Sequence, residues 1–181
     1  MTQQYEQPTG RVSSDRSGDG ITLRAFREED SAFLDRLDTD PDALGPFEWS
    51  GFIEMRERRR QWEKGALAVQ LPDGTVAGLV SWKATHRAGP ERGVCYEIGA
   101  ALVPEHRGHG VGSAAQRLVV DHLFRFTTAH RLEALTDEEN TAERRALERI
   151  GFQQEGVLRE VVFFNGSWRN TVIYALLRRD H

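Results

Sequence analysis

A single cysteine, Cys95, stands in 181 residues, so the chain cannot close an internal disulfide and its composition suits a reducing compartment. Cys95 lies in an apolar, strand-like run, where a thiol ordinarily packs rather than reacts. No apolar run approaches the ~20 residues needed to cross a bilayer, and no basic-then-apolar leader opens the chain. The expected location is therefore the cytoplasm. Positive charge is not in excess either: 24 Lys and Arg face 28 Asp and Glu, a net charge of −4. Nucleic acids and anionic membranes favour basic surfaces, so neither is an expected partner. No metal is expected. What remains is ordinary for a soluble globular protein, with 39% hydrophobic and 29% charged residues and enough length for one domain.

Residues 1–19 are polar, rich in Ser, Gly and Asp, and too poor in aliphatic side chains to offset their ordering entropy. They are read as a flexible tail, with one domain over 20–181. Ile21 to Phe26 alternates as a strand does, and Glu28 to Leu37 places Phe33, Leu34 and Leu37 on one helical face. Pro41 to Phe52 reads as a loop with aromatic anchors, and Glu54 to Lys64 as a charged helix. Ala66–Leu71 and Thr75–Ala84 flank Pro72-Asp73-Gly74 as a hairpin. A long apolar strand, Val94–Val103, stops at Pro104. Beyond a glycine-rich turn, Val111, Ala115, Leu118, Val119, His122, Leu123 and Phe126 recur at helical spacing. Leu132–Leu135 is a short strand, and Thr141–Ile150 a helix closed by Gly151. Gly156–Phe164 and Trp168–Leu177 form a second hairpin about Asn165-Gly166. Strand meanders mixed with helical crossovers predict one mixed α/β (α+β) sheet with helices on both faces.

The most specific feature is Arg107-Gly108-His109-Gly110-Val111-Gly112, between a strand and an amphipathic helix. Glycines let the backbone take positive φ and approach a ligand closely. The free N–H groups of a first helical turn, with the helix dipole behind them, favour an anion. Arg107 adds a donor suited to phosphate. A tight turn built for packing alone would not need three glycines and an arginine. The nucleotide-triphosphate loop is excluded, since no Lys-Ser/Thr follows the last glycine. The dinucleotide fingerprint is excluded by spacing, and the turn follows antiparallel hairpins rather than a first strand.

Leu102-Val103-Pro104-Glu105-His106-Arg107-Gly108-His109-Gly110-Val111-Gly112 resembles the acyl-CoA motif of the GNAT N-acyltransferase superfamily, Arg/Gln-x-x-Gly-x-Gly/Ala. Asn140 to Arg144 and Arg149 to Phe152 resemble that family's next helix. Asn165-Gly166-Ser167-Trp168-Arg169-Asn170 resembles its RimJ/RimL-type branch, though Asn170 replaces the aspartate expected there. The element order agrees from Ile21 onward.

The resemblance implies a mostly antiparallel, splayed sheet and an N-acetyltransferase that moves an acetyl group from acetyl-CoA to a primary amine. The acceptor would be a protein N-terminus or a small-molecule amine. Leu102 and Val103 would offer backbone groups to the acyl carbonyl and pantetheine. Arg107, Gly108, His109, Gly110, Val111 and Gly112 would hold the pyrophosphate. Asn140 would reach the pantetheine arm, as a catalytic or binding group, and Arg144 the phosphates. Asn140 also suits a helix N-cap without any ligand. Glu97, a carboxylate on an otherwise apolar strand, is the candidate base, unless it simply faces solvent. The usual acid is missing: where relatives carry Ser or Tyr, this chain has Glu143, which could serve only if protonated and otherwise reads as an exposed helix-face glutamate, and Leu147, which excludes the tyrosine role. Tyr96, Tyr174, His106 and His109 are other candidate donors. Trp49 and Trp168 are candidate acceptor-binding residues, with Phe47, Phe52 and Trp82 as weaker ones. Acidic Asp38, Glu54 and Glu57 suit either a cationic acceptor or a solvated face. A module that binds acyl-CoA without turnover, an enzyme for a longer donor such as succinyl-CoA, and a homodimer stay open.

Overall fold

Among the described residues eight strands lie in one sheet, in the order β1-β2-β3-β4-β5-β6-β8-β7. The structure is a computed structural model, and it describes residues 12–13, 20–40, 43, 64–85 and 94–181. In chain order these form β1 (Val12–Ser13), β2 (Thr22–Arg24), α1 (Ser31–Thr39), β3 (Lys64–Gln70), β4 (Val76–Thr85) and β5 (Cys95–Leu102). They continue as α2 (Val111–Phe126), β6 (Arg131–Asp137), α3 (Thr141–Arg149), β7 (Gln153–Phe164) and β8 (Ser167–Leu177). Every neighbouring pair is antiparallel except β5 and β6, which run parallel because α2 crosses between them.

The helices cover both faces, as the element order predicts. Strand alternation sends Leu79, Ala101 and Val103 towards α1, where they pack with Phe26, Phe33, Leu34 and Leu37. Val80, Ile98, Leu132, Ala134, Val172 and Tyr174 point the other way, into a larger core under α2 and α3. That core holds Ala115, Leu118, Val119, Leu123 and Leu147, the inward faces read from their spacing. Each fully buried Leu contributes about 1.5–3 kcal/mol. Among the described residues no helix is long and apolar enough to cross a membrane.

Some boundaries differ from the sequence reading. Val12 and Ser13, inside the segment read as a tail, pair with Leu23 and Thr22. A two-residue strand needs only backbone pairing and leaves no periodic signal. Lys64, read as the end of a helix, is the first residue of β3 and pairs with Lys83. The rest of that expected helix lies outside the described residues. β6 runs past Leu135 to Asp137, because β8 pairs with it through Thr171. In the second hairpin both Asn165 (φ 49°) and Gly166 (φ 79°) have positive φ, the geometry that matches the strands' twist.

A buried ion pair ties the start of α1 to the sheet. Arg24 donates to both oxygens of Asp30 at 2.6 and 2.8 Å, and the Arg27 N–H donates to the same carboxylate at 2.7 Å. These bonds hold the Asp30 carboxyl below the ordinary aspartate range, with the Arg24 bond acting most strongly.

Candidate active site

The sheet opens between β5 and β6. Their parallel register contains Cys95–Arg131, Tyr96–Leu132 and Glu97–Glu133, and nothing beyond. β5 nevertheless continues to Leu102 against Gly78 of β4, and β6 to Asp137 against Thr171 of β8. Each strand keeps its outer neighbour and leaves its inner one. The N–H of Val103 donates to the Ala77 carbonyl. By the alternation of an antiparallel ladder, the backbone groups of Ile98, Ala100 and Leu102 therefore turn away from β4, towards the opening. At ~3.3 Å per residue, the stretch from Ile98 to Leu102 is roughly 16 Å of strand edge. Backbone groups on such an edge call for a partner.

The glycine turn lies at the open end. Gly108 (φ 78°) and Gly110 (φ 83°) are both left-handed, and Gly110 is the N-cap of α2. A Cβ built at either would meet nothing within 4 Å, so their identity is required by φ and leaves free room above the backbone. Gly110 has no side chain with which to cap this end of α2. The N–H groups of Val111, Gly112 and Ser113 thus have no partner within the helix, and its dipole adds positive potential. Such a helix start suits an anion.

Two residues expected to serve the ligand are used otherwise. The Arg107 guanidinium donates to the carbonyls of Leu102 (2.8 Å) and Ala43 (2.9 Å). It braces the turn against the end of β5, and burial pushes its pKa down. Val103 has both backbone groups engaged, its N–H with Ala77 and its carbonyl with the His106 N–H. The opening is lined instead by Ile98, by the alternate residue Ala100 and by the N–H of Leu102, whose carbonyl is taken by Arg107. Backbone donors carry no side-chain signature, so sequence could not choose between the two registers.

Asn140 is the N-cap of α3, its Oδ1 accepting from the Glu143 N–H at 3.1 Å. Arg144 does not face the glycine turn. It donates to the Tyr174 hydroxyl (3.2 Å), the Glu138 carbonyl (3.0 Å) and Gln154 (3.4 Å). Tyr174 is fully buried and donates in turn to Glu148 at 3.0 Å, which occupies its hydroxyl. Leu147 packs in the core.

Glu97 sits at the apex of the opening, half-buried, with its carboxylate 2.9 Å from the Lys83 ammonium on β4. It shares a face with Cys95 and Glu133, opposite α2 and α3. On that face Cys95, Arg131, Glu133, Glu155 and Ile173 line a cavity of about 330 Å³. Burial pushes the Cys95 thiol up, which disfavours the thiolate.

Trp168 is exposed at the tip of the β7–β8 hairpin, its ring edge-on to Phe163 at 5.4 Å. Arg169 and Asn170 fasten that hairpin to the loop after β6, through Glu139 and Glu138 at 2.7 Å each. Trp49, Phe47, Phe52, Glu54 and Glu57 lie outside the described residues, as does the Asp38 side chain.

One pair was missed. Gln116 of α2, 1% exposed, donates from Nε2 to Glu143 Oε1 of α3 at 2.5 Å. Its signal was a polar residue on the apolar stripe of α2, three residues before Val119.

The family model for the acetyltransferase (GNAT) domain matches residues 21–153. The Probable N-acetyltransferase YjcK of Bacillus subtilis (strain 168) is 40% identical over 83 residues, a match that takes in 46% of this chain and 46% of that protein. Mycobacterium smegmatis RimJ, solved in complex with CoA-disulfide, superposes with a TM-score of 0.68 at 25% identity, covering 87% of this chain and 81% of RimJ. The spermidine N-acetyltransferase of Vibrio cholerae, solved with CoA and spermine, shares the fold with a TM-score of 0.75 at 21% identity, over 90% and 98% of the two chains. The matched domain contains both the opening between β5 and β6 and the glycine turn at its mouth, and the chain belongs to the GNAT family of N-acetyltransferases.

Proposed function

We propose that the protein transfers an acetyl group from acetyl-CoA to a primary amine, with the opening between β5 and β6 as its donor site. The observation that carries this reading is the parting of the two strands beyond Glu97 and Glu133, with an anion cradle at the open end. A pantetheine arm offers amide donors and acceptors to the edge formed by Ile98, Ala100 and the Leu102 N–H. A pyrophosphate suits the N–H groups from Gly108 to Gly112. Asn140 lies at the same mouth, with its side-chain N–H₂ available to the arm while its oxygen caps α3.

The reaction on this reading is direct attack of the amine on the thioester, with a tetrahedral oxyanion held by backbone donors. The attacking amine must be neutral. A lysine-like amine is neutral only about once in 2,500 molecules at pH 7, a cost of about 4.6 kcal/mol, whereas an α-amine costs about 1 kcal/mol. Glu97, at the apex and on the face away from α2, is the group proposed to take that proton, directly or through water. In the neighbouring cavity Glu133 and Glu155 both pair with Arg131. The spermine held by the Vibrio cholerae structure supports a small cationic amine as the first acceptor to try. A protein N-terminus is the other acceptor class.

The test is release of CoA thiol from acetyl-CoA over a panel of polyamines, aminated metabolites and N-terminal peptides. Acetyl-CoA should raise the melting temperature, and at least one amine should release thiol. Stabilisation by acetyl-CoA with no release on any amine would overturn the catalytic reading in favour of a binding module. Equal use of succinyl-CoA would overturn acetyl specificity.

A further inference from the structure

We propose that the Glu143 carboxyl, bridged to Gln116 across α2 and α3, is the acid that protonates the departing CoA thiolate. This rests on the acyl-transfer reading above. Both α2 and α3 begin at the open end of the gap and run back towards its Glu97–Glu133 apex. Gln116 lies in the second turn of α2 and Glu143 in the first turn of α3, so their bridge spans the gap on the core face, between mouth and apex. The bridge is built into the core. Gln116 is 1% exposed, and its second polar atom, Oε1, has no partner. An amide with one unmet group is an expensive occupant of a core position, which argues that holding Glu143 is its purpose.

Burial raises the Glu143 carboxyl above the ordinary glutamate range, and the Gln116 bond only partly offsets this. Gln116 is the group that faces it from α2, and no charged side chain of α2, β6 or β7 contributes to the shift. On its own helix, Arg144 is turned to Tyr174, Glu138 and Gln154. Of the other candidates, Leu147 is core, the Tyr174 hydroxyl is engaged, and His106 and His109 belong to the glycine turn at the mouth, which leaves Tyr96 of β5 as the competing donor.

The step balances. As the tetrahedral intermediate collapses, the C–S bond breaks with its electron pair on sulfur. The thiolate takes the Glu143 proton, giving CoA thiol and a carboxylate, which is reprotonated from solvent before the next turnover. The residue is therefore catalytic in the strict sense, while Gln116 positions it.

The test is E143Q, with Q116L as the positioning variant. In E143Q, kcat should fall about a hundredfold, with the KM for acetyl-CoA and the melting temperature nearly unchanged. Wild-type kcat should rise with pH as the amine deprotonates and fall once Glu143 ionises; E143Q should lose the falling limb. A merely structural role would leave that limb in place. Independently of turnover, an infrared titration of the CoA complex should show one carboxyl band, lost in E143Q, that titrates above the ordinary value of about 4.3. A band at the ordinary value, or wild-type kcat with the falling limb kept in E143Q, overturns the proposal. Failure of every amine to release thiol from wild type would instead count against the acyl-transfer reading, and the infrared arm would still decide the state of Glu143.

Discussion

Glu97 and Glu133 are the last pair in register between β5 and β6, and the two carboxylates on one face mark where the sheet divides. Their environments differ. Glu133 is buried and ion-paired with Arg131 at 2.8 Å, while Glu97 meets Lys83 at its more exposed edge. On the proposed reading, the less enclosed of the two is the one that takes the proton of an incoming amine.

Replacement of Glu97 by Gln should therefore lower kcat by about a hundredfold for amines of lysine-like pKa and much less for α-amines. The loss should be largest at low pH, where fewer amines are neutral, and affinity for CoA by calorimetry should hardly move. A variant equally active from about pH 6 to 9 would remove Glu97 from the proton path.

The anion cradle predicts a charge effect separable from a backbone effect. Gly110→Ala and Gly110→Asp both place a side chain at a left-handed position and should each cost about 1–2 kcal/mol of stability. Only Gly110→Asp also sets a carboxylate at the start of α2. Calorimetric CoA affinity should survive in the alanine variant to within a few-fold and be lost in the aspartate variant. Equal affinity in both would show that the phosphates bind elsewhere.

Asn170 is matched to its neighbours by chemistry. Its Oδ1 accepts from the Glu160 N–H at 3.0 Å and its Nδ2 donates to the Glu138 carboxylate at 2.7 Å. Asn170→Asp keeps the first bond and turns the second into a repulsion. The variant should lose about 1 kcal/mol at pH 7, and should recover part of it in acid as one carboxyl protonates. Melting curves between about pH 4.5 and 7.5 would show the gap closing; a constant gap would point to another cause.

The buried Arg24–Asp30 pair carries a pH dependence of definite sign. Asp30 is held below its ordinary value in the folded chain, so the unfolded chain takes up the proton first as pH falls. Its contribution is complete above the unfolded value of about 3.9 and is lost as pH drops through the folded one. Arg24→Met leaves a buried carboxylate unpaired and should cost about 3 kcal/mol at pH 7. The difference from wild type in denaturant titrations should shrink below about pH 4.

What was legible locally came through well. The helix stripes around Leu118, Val119 and Leu123, the Asn165-Gly166 hairpin and the glycine turn each depend on contacts within a few residues. The turn's conformation was legible for the same reason, since φ at Gly108 and Gly110 is a local property. The roles of Arg107 and Arg144 were not, because a guanidinium has several partners within reach. Which one it takes depends on carbonyls such as that of Ala43, sixty-four residues away.

Sequence by itself determined the order of the described elements from Ile21 onward, the glycine turn at Gly108–Gly112 and the presence of a carboxylate at Glu97. Those follow from side-chain periodicity and from backbone freedom that only glycine supplies. Tertiary structure alone decided that β5 and β6 part company after Glu97 and Glu133, that Ala100 rather than Val103 faces the opening, and that Gln116 and Glu143 meet behind it. Strand parting and helix-to-helix contact are settled by what each element packs against. Gln116 and Glu143 stand twenty-seven residues apart in the chain, and nothing in their local pattern records the bond between them.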